Sequence, residues 1–148
     1  MNDNTALLEF VYKNADMGKA TLPYIIEKAD DRRFRDTLGE ILKEYTDIAA
    51  KTELQLIDSG HRDPKGLSMP EKLMTDMSLR INANMDTGVA HLADMMIKGA
   101  SMGVTDISKQ LDRYKGAGEQ ARGLAERLRR CNEDTIDKMK DFLTVVTK

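Results

Sequence analysis

Between Leu8 and Ala29 the residues Leu8, Val11, Ala15, Gly18, Leu22, Ile25 and Ala29 follow one another at spacings that alternate between three and four. On an α-helix that rhythm gathers all of them into one apolar stripe, which only other helices can cover along its whole length. The rhythm recurs in three later stretches, and no stretch alternates apolar and polar residues as a strand would. The chain therefore predicts an all-α fold: a four-helix bundle forming one domain over residues 1–148.

The boundaries follow from capping and breaker residues. Helix 1 is expected from about Thr5 to Ala29 with Asn4 as N-cap, and Pro23 should kink it near Lys19 to Leu22. Asp30 and Asp31 end one helix and open the next. Helix 2 is expected over Arg32–Asp58 with the stripe Phe34, Leu38, Ile41, Tyr45, Ile48 and Thr52, followed by a connector rich in turn formers, Ser59 to Leu67. Helix 3 opens on a capping box, Ser68-Met69-Pro70-Glu71, and carries Met74, Met77, Ile81, Asn84, Gly88, His91 and Met95. Beyond Gly99-Ala100-Ser101-Met102-Gly103 the apolar residues Val104, Ile107, Leu111 and Tyr114 fall on a frame through Ile97 and Ala100, two residues away from the earlier one. That shift predicts a break or a short extra helix at Gly99–Gly103. Gly116-Ala117-Gly118 separates off helix 4, from about Glu119 to Val146, with Leu124, Leu128, Cys131, Thr135, Met139 and Phe142 on its apolar side.

Bulk properties narrow the function classes. A hydrophobic content of 41% over 148 residues can build a core, so the chain is globular rather than disordered. A net charge of −2 gives no pull toward nucleic acid or anionic lipid. The N-terminus is polar and has no leader pattern, no run is long enough for a membrane span, and the single cysteine, Cys131, suits a reducing, cytoplasmic setting.

The chemistry-bearing residues are sparse. A dinuclear iron centre in a helical bundle needs inward carboxylates and two Glu-x-x-His pairs, because residues i and i+3 reach one metal from one helix face. Only two histidines occur: His61 in the connector, and His91 in the order His-x-x-Asp with Asp94. No metal site and no cofactor are assigned on this basis. His91 has two readings. It is a core histidine hydrogen-bonded across the bundle, with Tyr45 the first candidate partner, or it belongs to a polar ligand site made by Asn84, Thr87, His91, Asp94 and Tyr45. Seven of the ten methionines lie between Met69 and Met102, as flexible core filling or as an adaptable binding surface. Arg32, Arg33 and Arg35 and, later, Arg122, Arg127, Arg129 and Arg130 read as salt-bridged faces, with an anion-binding pole possible only if helices 2 and 4 start at the same end.

The run His91-Leu92-Ala93-Asp94-Met95-Met96-Ile97-Lys98-Gly99-Ala100-Ser101-Met102-Gly103-Val104 resembles the signature of small bacterial proteins of undefined activity classed with the ferritin-like bundles. Tyr12 to Gly18 and Ile107 to Tyr114 are similar too. The resemblance implies a ferritin-like bundle and supplies no catalytic residues. Ferritin-type topology needs a crossover running the length of the bundle. Ser59 to Leu67 spans only about 30 Å when extended, against about 40 Å for helix 2. Helix 3 is therefore expected to return antiparallel to helix 2, with Gly99 to Lys115 the better place for any crossover.

These observations converge on a non-enzymatic, ferritin-like helical-bundle protein that acts through interaction or self-association, as a homo-oligomer joined through helix faces. It has neither nucleic acid nor membrane as partner. The alternatives are a metal-binding ferritin-like protein with a reduced site near His91, and a binder of a small apolar ligand, of unknown identity, in the methionine-rich region.

Overall fold

A computed structural model describes residues 2–60 and 88–145. These form four helices and no strand: α1 (Asp3–Lys28), α2 (Arg32–Asp58), α3 (Val89–Arg113) and α4 (Glu119–Val145). None of them is long and apolar enough to cross a membrane.

The α1 stripe is as the spacing predicts. Leu8, Val11, Ala15, Leu22, Ile25 and Ala29 are all buried, and the helix runs through Pro23 without interruption. Its N-cap is Asn2 rather than Asn4: the Asn2 side chain accepts from the Thr5 amide at 2.8 Å. Asp3 and Asn4 reach instead into the α3–α4 connection, where their side-chain oxygens accept from Gly116 N at 3.0 Å and Gly118 N at 2.9 Å. Asp31 opens α2 by accepting from Phe34 N at 2.8 Å, and Gly60, at φ 93°, follows its C-terminus. Phe34, Leu38, Ile41, Tyr45, Ile48, Thr52 and Leu56 are buried along α2. Thr52 is accommodated because its hydroxyl donates back to the Ile48 carbonyl at 2.7 Å.

Contacts between helices fix their directions. Along α2 and α4, Phe34 meets Phe142 edge-on with ring centroids 5.0 Å apart, and Arg127 pairs with Glu44 at 2.6 Å and Asp47 at 2.7 Å, so these two helices are antiparallel. Arg127 and, more strongly, Lys51 hold the Asp47 carboxyl below its usual range. Along α3 and α4, Arg122 donates to the Leu111 and Tyr114 carbonyls at 3.1 Å each, and Arg129 to the Ser108 hydroxyl at 3.5 Å, so these are antiparallel as well. The bonds from Asp3 and Asn4 put the start of α1 beside the start of α4.

It follows that α2 and α3 point the same way, from the end where α1 finishes to the end where it began. Gly60 and Gly88 therefore lie at opposite ends of the bundle. This corrects the expectation that helix 3 returns antiparallel to helix 2 with any crossover after Gly99. Ser59 to Leu67 is too short to traverse the bundle, but the described third helix begins only at Val89, and the chain between Gly60 and Val89 is long enough to do so. The starts of α2 and α4 are at opposite ends, which removes the condition for an anion-binding pole. Arg127 and Arg129 are paired with carboxylates instead, and Arg33 sits over the Phe142 ring at 5.0 Å.

The second correction concerns α3. The helix is continuous through Gly99–Gly103. Leu92, Ala93, Ala100, Ile107 and Leu111 are buried, so the frame expected only after the glycines extends back to the start of the helix. Residues two positions away lie about 200° round the helix. Accordingly Met102 is 67% exposed and His91 is exposed. The capping box Ser68–Glu71 and the stripe residues Met74, Met77, Ile81 and Asn84 lie outside the described residues.

Spin labels at Asp58→Cys and His91→Cys test the parallel course of α2 and α3, with buried Cys131 left unlabelled. At a rise of about 1.5 Å per residue, dipolar spectroscopy should give a separation of about 35–40 Å. A distance under about 20 Å would mean that α3 returns antiparallel.

Candidate functional site

Heptad-like spacing carried backward from Phe142 along α4 passes through Met139, Thr135, Asn132, Leu128, Ala125 and Ala121, and all of these are buried. Asn132 thus occupies a core position at mid-helix and is only 5% exposed. Its partner is Tyr45, whose hydroxyl donates to Asn132 Oδ1 in a buried hydrogen bond between α2 and α4. Thr135 and Cys131 complete the polar cluster. The Thr135 hydroxyl donates to the Cys131 carbonyl at 2.8 Å.

The pair is held by two glycines. A Cβ added to Gly18 of α1 would lie 2.9 Å from ring carbons of Tyr45, and one added to Gly103 of α3 would lie 2.6 Å from Asn132 Nδ2. Any side chain at either position would displace the bonded pair. Gly99 behaves differently: a Cβ there would meet nothing within 4 Å.

Small residues on α3 leave space as well as contact. Gly99, Ala100 and Gly103 face Met17, Gly18, Thr21, Leu22 and Ile25 of α1 across a cavity of about 400 Å³, which Met95, Met96, Asn14, Leu128, Tyr45, Asn132 and Thr135 also line. Met17 and Gly99 are solvent-exposed, so the cavity has a rim there. None of the described lining residues is charged. The Asn14 amide donates to the Phe10 carbonyl at 2.9 Å and the Thr21 hydroxyl to Met17 at 2.9 Å. The Asn132 amide nitrogen, by contrast, donates to no acceptor among the described residues.

Burial governs the protonation states. It raises the Tyr45 phenol well above its usual range, with a further push from neighbouring Cys131. It pushes the Cys131 thiol up to about 12, assisted by Glu44 and Asp134. Both groups are neutral over the physiological range, so the cluster supplies hydrogen bonds and no thiolate nucleophile. Among the described residues no three His, Cys, Asp or Glu side chains converge closely enough to hold a metal.

The structure separates the polar residues singled out by spacing. Tyr45 is buried in the cluster, but its partner is Asn132 and not His91. His91 is exposed on α3, because the buried face of that helix runs through Ala93 and Ala100. Asp94 pairs with Lys98 at 2.9 Å on the surface. Gly88 is the N-cap of α3 rather than a stripe position, and Asn84 and Thr87 lie outside the described residues. Asn132 was missed because Leu124, Leu128 and Cys131 suggest a seam by themselves. The signal that finds it is the strict alternation of spacings running back from Phe142. No family model matches the chain, no curated protein matches it, and no solved structure does.

The two kinds of glycine should respond oppositely to alanine. Gly18→Ala drives a methyl into the Tyr45 ring and should lower stability by about 1–3 kcal/mol. Gly39→Ala, where a Cβ meets nothing within 4 Å, should raise stability by up to about 1 kcal/mol through helix propensity. Chemical denaturation of both variants checks the contrast, and equal effects of the same sign would contradict it.

Proposed function

We propose that this protein binds a small, largely apolar molecule in the cavity between α1, α3 and α4. The carrying observation is the cavity itself: about 400 Å³, lined by Met17, Leu22, Ile25, Met95, Met96 and Leu128, with a few polar groups among them. That combination of apolar walls and sparse polar groups is the usual chemistry of a ligand pocket. Methionine suits it further, because an unbranched thioether adapts to ligands of differing shape.

The bundle is read as ferritin-like. What supports this is the order of helix directions, two antiparallel pairs with α2 and α3 parallel, which is the arrangement a single long crossover produces. On this reading the function belongs to the cavity. The exposed side chains of Leu54 and Ile57 on α2, 62% and 48% accessible, favour a second reading in which the protein also self-associates through a helix face.

Naphthalene is an adequate probe for the cavity. At a concentration a hundred times its Kd it should stabilise the native state by about 2.7 kcal/mol, which raises Tm by about 5–10 °C in a domain of this size. Ala100→Leu adds three carbons at the cavity wall and should remove the shift. Absence of a shift in the parent protein, or an equal shift in the variant, would refute cavity binding.

A further inference from the structure

We infer that the ligand of this cavity is uncharged and carries a hydrogen-bond acceptor, a carbonyl or ether oxygen, that is held by the side-chain amide of Asn132. The inference rests on the cavity-binding reading and adds what the cavity recognises.

Three observations carry it. First, Asn132 is 5% exposed and lines the cavity, and its Nδ2 donates to nothing among the described residues. A buried donor without an acceptor is unfavourable, and one acceptor on a bound molecule would relieve it. Second, the amide is oriented. Tyr45 donates its hydroxyl proton to Asn132 Oδ1, which directs the NH2 group away from Tyr45 and to the backbone of Gly103, itself part of the cavity lining. Tyr45 is thus a positioning residue: it fixes which end of the amide faces the ligand. Third, no Lys, Arg, His, Asp or Glu lines the cavity among the described residues. A carboxylate or ammonium group entering it would lose its hydration with no opposite charge to replace it. The recognised chemistry is therefore an apolar body bearing one neutral acceptor.

Three compounds of closely similar shape separate the possibilities in calorimetric titrations of the full chain: ethylnaphthalene, with no acceptor; acetylnaphthalene, with a neutral one; and naphthoate, with an anionic one. Acetylnaphthalene should bind most tightly and naphthoate most weakly, and the carbonyl carbon-13 resonance of labelled acetylnaphthalene should move downfield on binding. In the double variant Tyr45→Phe/Asn132→Leu, which removes both members of the polar pair, the affinity ratio of acetylnaphthalene to ethylnaphthalene should fall about tenfold while ethylnaphthalene still binds. Asn132→Asp retains an acceptor for the Tyr45 hydroxyl and removes the donor, so it should lower the same ratio if the double variant fails to fold. An unchanged ratio in the variants, an unmoved carbonyl resonance, or tightest binding of naphthoate would overturn the inference while leaving cavity binding in place. Failure of all three compounds to bind would overturn the cavity-binding reading beneath it.

Discussion

The bond from the Tyr45 hydroxyl to Asn132 Oδ1 ties α2 to α4 inside the core, and α1 and α3 meet the bonded pair at Gly18 and Gly103. The Tyr45 ring packs against α1 at Gly18, and the Asn132 amide packs against α3 at Gly103. Each helix thus contributes one residue to a layer whose outer members must be glycine and whose inner members are polar. Leucine at either inner position would pack without a directional bond, and one register would be favoured less sharply over its neighbours. A buried polar pair that bonds in only one alignment penalises every other.

The small residues needed at that layer have a structural consequence next to it. With Gly99, Ala100 and Gly103 consecutive along the α3 face, few side chains cross from α3 toward α1, and the space is left as the cavity. Close approach and vacancy are two results of the same composition. Where a neighbour presents a polar group, as Asn132 does to Gly103, the glycine gives contact; where none does, as at Gly99, it gives room. The polar layer and the cavity adjoin, since Gly18, Tyr45, Gly103 and Asn132 belong to both.

Much of the bundle could be read from residue spacing alone, because α1 and α2 each carry one uninterrupted stripe and every member of the α2 stripe is buried. The α3 helix was harder for a physical reason. Methionine and glycine are compatible with either face, so the apolar pattern of Met95 and Met102 competes with that of Ala93, Ala100 and Ile107, and the burial of alanine is weakly signalled by hydrophobicity. Two overlapping frames read as a break, and the Met95 frame puts His91 on the buried side, whereas the structure has it exposed. In α4 the same ambiguity hid Asn132 behind Cys131, its immediate neighbour. The parallel course of α2 and α3 was not legible either, since direction depends on contacts distant in sequence, such as those of Asp3 and Asn4 with Gly116 and Gly118.

The central claim is that Tyr45 and Asn132 act as one coupled unit, and a double-mutant cycle tests it most directly. The stabilities of the parent, Tyr45→Phe, Asn132→Leu and the double variant are measured by denaturant unfolding. Either single change leaves a buried polar group without its partner, whereas the double change removes both. The singles should therefore each lose more than half of the double's loss, with a coupling energy of about 1–3 kcal/mol. Strictly additive losses, with coupling near zero, would show that the two side chains are independent and that the bond between them does not organise the bundle.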